Sequence, residues 1–137
     1  MRTAILCALV ATGAAAGADK PQFPPVRWSG VVADEKKQKA APESGLVIDQ
    51  KTLDAIWKAW CAGDPPRVNF DTHFVLVQTK KAKLSFIHYT VTDEGELTFT
   101  IGVQGDKNGP KEIDGFGYAM AVVPREGVKR YNGKALP

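Results

Sequence analysis

The sequence predicts an α+β fold, with one amphipathic helix packed on a mostly antiparallel sheet of about five to seven strands. Three observations predict it. Leu53, Ile56, Trp57 and Trp60 fall at i, i+3, i+4 and i+7, which is one face of a helix. Phe74-Val75-Leu76-Val77 is an unbroken apolar run, as expected of a strand covered on both faces. Leu97, Phe99, Ile101 and Val103 alternate with polar residues, as expected of a strand with one packed and one wet face.

In chain order, residues 1–18 read as a signal peptide. Arg2 is a positive n-region, Ala4 to Val10 an apolar h-region, and Ala16-Gly17-Ala18 a small-residue cleavage site. The expected product is exported, periplasmic or extracellular. No later run approaches the ~20 apolar residues of a membrane helix, so no membrane span is expected. Removal of this segment takes away one charged residue and leaves the remainder close to charge balance, which does not point to nucleic acid. It also leaves Cys61 as the sole cysteine, so no intrachain disulfide can form and burial must hold the fold.

Residues 19–25, with Pro21, Pro24 and Pro25, predict an extended N-terminal segment, and 26–137 a single α+β domain. Val26 to Ala33 predicts a first strand, with Val26, Trp28, Gly30 and Val32 on one side. Asp34 to Glu43 predicts a solvated, Lys-rich connection, and Leu46 to Asp49 a short strand. The helix is expected over 50–61. Asp49 is its N-cap, its carboxylate placed for a free backbone N–H and its charge for the positive helix end. Gly63 and Pro65-Pro66 end it. Burying its four large side chains at ~1.5–3 kcal/mol each gives roughly 6–12 kcal/mol before entropy, so this helix should be central to stability.

Lys80-Lys81-Ala82-Lys83 predicts a basic turn after the apolar strand, and Leu84 to Thr92 a further strand. Asp93 to Glu96 is a hairpin connection into the strand Leu97 to Val103. Gln104 to Phe116, rich in Gly and charge, predicts the longest irregular stretch, a length often associated with function. Tyr118 to Val123 is another strand, and Val128 to Tyr131 a last edge strand.

The chemistry-bearing residues are few. His73 and His88 are the only histidines, short of the three or four ligands that zinc requires. There is no Gly-x-Ser-x-Gly elbow, no Gly-x-Gly-x-x-Gly and no phosphate loop. Cys61 lies on the apolar helix face and reads as a buried thiol; a nucleophile would need an adjacent base. Asp106-Lys107-Asn108-Gly109 has the start of a calcium loop, but an EF-hand would need Glu where Gly117 stands. Lys80, Lys81 and Lys83 form the densest basic cluster, read as a solvated turn or as a surface for an anionic partner. No catalytic, cofactor-binding or metal residue is assigned, and the binding residues stay unassigned.

Val47-Ile48-Asp49, Leu53 with Ile56-Trp57, Pro66-Arg67-Val68-Asn69-Phe70-Asp71 and Phe74-Val75-Leu76-Val77 together resemble the C-terminal domain of the secreted protease-complex protein PrcB. The likeness spans roughly residues 45–124 and is carried by those up to about 78. Asn69 stands where that family usually has Asp, and the Gly-rich turn expected after the apolar strand is replaced by Lys80 to Lys83. The resemblance implies an exported α+β domain that binds or stabilises another exported protein, such as a protease. It brings no catalytic residue and no cofactor. Three functions are therefore expected in descending order: a non-enzymatic protein-binding domain, a small-molecule or glycan-binding module using Trp28 and Phe116, and a small hydrolase.

Overall fold

The structure, a computed structural model, describes residues 20–136. The expected signal peptide, residues 1–18 with its cleavage site at Ala18, lies outside the described residues. Strands dominate and helix is scarce, so the α+β class holds, but the strand count does not. Among the described residues there are ten strands rather than five to seven. They are β1 (Arg27–Val32), β2 (Leu46–Val47), β3 (His73–Ala82), β4 (Leu84–Val91), β5 (Glu96–Val103), β6 (Gly105–Asp106), β7 (Gly109–Pro110), β8 (Glu112–Pro124), β9 (Arg130–Tyr131) and β10 (Lys134–Ala135). Helix α1 spans Gln50–Trp60, and a 3-10 helix spans Glu35–Ala40. No helix among the described residues is long and apolar enough to cross a membrane.

The chain forms two compact units. The larger holds Pro24–Ile87 and Thr100–Glu126. Its framework is a four-stranded sheet in the order β1-β8-β3-β2, antiparallel throughout. Both faces of β3 and β8 are buried. Val75, Val77, Phe116, Tyr118 and Met120 meet Leu53, Ile56 and Trp60 of α1 on one face, while Phe74, Leu76, Ala119, Ala121 and Val123 are buried on the other. A strand without a wet face needs no polar alternation, which is why Phe74 to Val77 reads as a continuous apolar run.

Helix α1 starts and stops for local reasons. Asp49 is extended, and its carboxylate accepts from Thr52 N at 2.7 Å. Hydrogen bonds from Thr52, side chain first and then backbone, hold this carboxyl below its ordinary value. At the other end Cys61 is the extended cap, its N–H donating to Trp57 O at 2.8 Å. Trp60 Nε1 donates to Lys37 O at 2.7 Å, which ties α1 to the 3-10 helix. Gln50 donates to Pro66 O and accepts from Val68 N, fixing the returning chain against the helix start.

Four further expectations are corrected here. Asp34 to Glu43 is not merely a loop: Asp34 caps a turn of 3-10 helix by accepting from Lys36 N at 3.0 Å. Lys80 and Lys81 are not in a turn, because β3 continues through Ala82. Gln104 to Phe116 is not irregular: it contains the β6–β7 hairpin and the first five residues of β8. The strand expected as the last edge is β9, which is shorter, Arg130–Tyr131, and is neither last nor an edge: β10 follows it, and it lies between β10 and β5, parallel to β5.

The glycine-rich segment misleads because its glycines serve packing. A Cβ at Gly117 would lie 1.9 Å from Ala82 O, and one at Gly115, where φ is +75°, 1.9 Å from Val32 O. The β3–β8 register shifts between Lys80 and Ala82, opposite these positions. This is a strand forced close to its neighbours' carbonyls, where only glycine fits.

The smaller unit holds residues 20–23, His88–Phe99 and Gly127 onward. Glu96 and Leu97 pair with Arg130 and Tyr131, and Thr90 and Thr98 share a 2.6 Å hydroxyl hydrogen bond. Gln22 exchanges two backbone hydrogen bonds with Tyr89, at 2.7 and 2.9 Å. Along β4 the buried positions change phase, from Leu84 and Phe86 to Tyr89.

Candidate functional site

The titratable groups singled out in the sequence do not converge. Cys61 Sγ meets Tyr118 Oη at 3.2 Å, at the C-terminal end of α1. Burial, with the hydrogen bond to Cys61 second, raises the Tyr118 phenol well above its ordinary value, so it is not poised as a base at neutral pH. His73 Nδ1 bonds Thr72 Oγ1 at 2.8 Å. His88 packs edge-on against Phe23, centroids 5.9 Å apart, and its Nδ1 is buried without a partner. Among the described residues neither histidine hydrogen-bonds Cys61 or a carboxylate, and no three His, Cys, Asp or Glu side chains are grouped to hold a metal.

The other candidates are structural too. Asp106 Oδ1 accepts from Asn108 N at 2.8 Å inside the β6–β7 turn. Lys81 pairs with Glu35 at 3.4 Å, an exposed pair worth little. Phe116 is corrected as an aromatic available for ligand: it is 1% exposed, edge-on to Trp60. Trp28 is half-buried, edge-on to Trp57 at 5.3 Å. An open depression of about 610 Å³ lies over the 3-10 helix, lined by Glu35, Lys36, Gln38, Lys39, Glu43 and Thr79 among others. It mixes both charges and contains no histidine or cysteine.

What the larger unit does present, among the described residues, is a strand with one unpaired edge. In the order β1-β8-β3-β2, β1 is an edge. Val122 N donates to Val26 O at 3.0 Å, and the register pairs Arg27 with Ala121 through Val32 with Phe116. In an antiparallel pair, hydrogen-bonded and non-hydrogen-bonded residues alternate. The backbone groups of Trp28, Gly30 and Val32 therefore point to β8. Those of Arg27, Ser29 and Val31 point away, and these three residues are exposed, Val31 by 44%. Three N–H and three C=O groups in a row form a template for another strand.

The other outermost strands differ. β2 and β10 are two residues long each. β4 is eight residues long but carries the phase change, and Gln22 occupies its Tyr89 position. Short length, irregularity and cover are the usual protections of sheet edges. Within β1 there is no proline, no lysine and no register shift. Sequence reasoning placed the strand but missed the edge, because strand order depends on which distant segment pairs with it.

No family model, no curated protein and no solved structure matches the chain. The likeness to the PrcB C-terminal domain therefore rests on the residues quoted for it.

Proposed function

We propose that this chain is a non-enzymatic exported domain that binds another exported protein by taking an extended segment of that protein onto β1. The observation that carries the reading is the row of outward backbone groups at Arg27, Ser29 and Val31 on an edge that no other strand among the described residues pairs. Strand addition of this kind draws affinity from main-chain hydrogen bonds and selectivity from alternate side-chain positions. The resemblance to a protease-complex component agrees with such a role. The occupied side chains of Cys61 and His73 favour recognition over hydrolysis.

Ser29→Pro tests it. The Ser29 N–H points away from β8, so proline there removes an outward donor and no ladder hydrogen bond. Capture from the native exported fraction is expected to lose its partner with Ser29→Pro while the melting temperature stays near that of the parent. Equal capture by both proteins would refute the edge as the binding site. The comparator is replacement of residues 105–110 alone, since a replacement extending to 116 would remove buried Phe116.

A further inference from the structure

The geometry points to a second copy of this chain as an occupant of β1, paired antiparallel about a two-fold axis at Ser29. This rests on β1 accepting a strand and names what fills it when no other partner does. Centred on Ser29, the rows are Ser29 with Ser29, Trp28 with Gly30, Arg27 with Val31 and Val26 with Val32 of the second copy. Every outward N–H and C=O from Arg27 to Val31 then has a partner, because all three outward residues fall in hydrogen-bonded rows.

The rows are complementary in size and charge. The bulky, half-buried Trp28 faces Gly30, which has no side chain of its own and is lapped by the Tyr118 ring. Arg27, the one charged residue of β1, lies opposite Val31, whose exposed surface can cover the arginine stem. The two arginines are then four residues apart along the strands, roughly 13 Å at the usual rise, beyond the ~8 Å screening length of physiological salt.

Other registers are poorer. Centring on Arg27 sets two arginines face to face. Centring on Trp28 places Val31 opposite Pro25, which has no N–H. Centring on Gly30 places Arg27 opposite Ala33, beyond the end of β1. The resulting contact is isologous and closes as a dimer, which also removes the exposed edge.

The experiment uses the purified full-length protein and measures self-association by sedimentation equilibrium, with hydrogen exchange across a concentration series. The amides of Arg27, Ser29 and Val31 should gain protection as concentration rises, while those of Trp28, Gly30 and Val32 stay protected throughout. Val31→Lys sets a lysine beside the second copy's arginine in both symmetry-related rows and should weaken the dimer about tenfold. Val31→Glu should tighten it, and Arg27→Glu with Val31→Lys should restore it. All three substitutions are at exposed side chains, Arg27 and Val31, so folding is not at issue.

A wild-type protein that stays monomeric, with edge amides exchanging at a concentration-independent rate, overturns the proposal. So does a dimer that shifts in the same direction with Val31→Lys and Val31→Glu. A monomer that still captures a partner in a Ser29-dependent manner overturns the second copy and leaves the binding function standing.

Discussion

Helix α1 and the start of β8 belong to the same larger unit but are held in opposite ways. Around α1, stability comes from side chains: Leu53, Ile56 and Trp60 are buried against Val75, Val77 and Met120. At the start of β8 it depends on side chains being absent, because Gly115 and Gly117 let backbone pass within contact of the carbonyls of Val32 and Ala82. The first region loses stability when atoms are removed, the second when they are added. A cavity can relax partly, whereas a Cβ inside a carbonyl oxygen's radius must displace main chain.

The largest expected effect is therefore Gly117→Ala. Its Cβ would lie 1.9 Å from Ala82 O, with Lys83 Cα at 3.2 Å, and both are backbone atoms. The protein should fail to fold or lose well over ~3 kcal/mol, read as loss of the cooperative thermal transition. A well-folded Gly117→Ala protein would remove the contrast between the two regions.

Trp57→Ala comes next. Trp57 is half-buried against Trp28, so truncation should cost about 3–4 kcal/mol, toward the low end of aromatic-to-alanine changes in cores. A melting temperature within ~2 °C of the parent would show that α1 is not a core element. Trp57→Phe sharpens the point. Trp57 Nε1 is buried without a hydrogen-bond partner, so phenylalanine removes an unsatisfied donor and should cost less than ~1.5 kcal/mol.

Asp49→Ala should cost about 1 kcal/mol through the lost N-cap. Because the folded carboxyl is held below its ordinary value, its contribution is fully present above the ordinary carboxylate range and is lost as pH falls through the lowered value. Asp49→Asn keeps a capping oxygen but does not titrate. The stability gap between parent and Asp49→Asn should thus narrow below about pH 4, measured by denaturant melts across the acid range. The smallest effect is Lys81→Ala, within ~0.5 kcal/mol, since the Lys81–Glu35 pair is solvent-exposed. A larger loss would mean that the end of β3 is held by that pair rather than by the ladder to β8.

The legibility of the two regions follows the same physics. α1 is readable because its period and Asp49 cap are local, and the helix spans Gln50–Trp60 against the expected 50–61, although extended Cys61, ahead of Gly63 and Pro65-Pro66, is what ends it. Phe74 to Val77 was readable because burial on both faces leaves a compositional trace. Gln104 to Phe116 was misread because glycine marks both a turn and a close backbone approach. Lys80 and Lys81 were misread because a pair of lysines is tolerated in a strand whose ladder partner is fixed elsewhere. Phe116 reads in the sequence as an available aromatic because nothing in its neighbourhood announces Trp60, more than fifty residues earlier.

By itself the sequence determined the class of fold, the helix with its ends, and the apolar central strand, all of which depend on forces acting within a few residues. It also determined the scarcity of cysteine and histidine, which limits the chemistry available. Only the tertiary structure decided that β8 lies between β1 and β3, that Cys61 meets Tyr118, and that β1 is left, among the described residues, with a row of unpaired backbone groups. Those are consequences of pairing between residues as distant as Arg27 and Ala121, and amide groups, identical in every residue, leave no mark in sequence of which neighbour they will find.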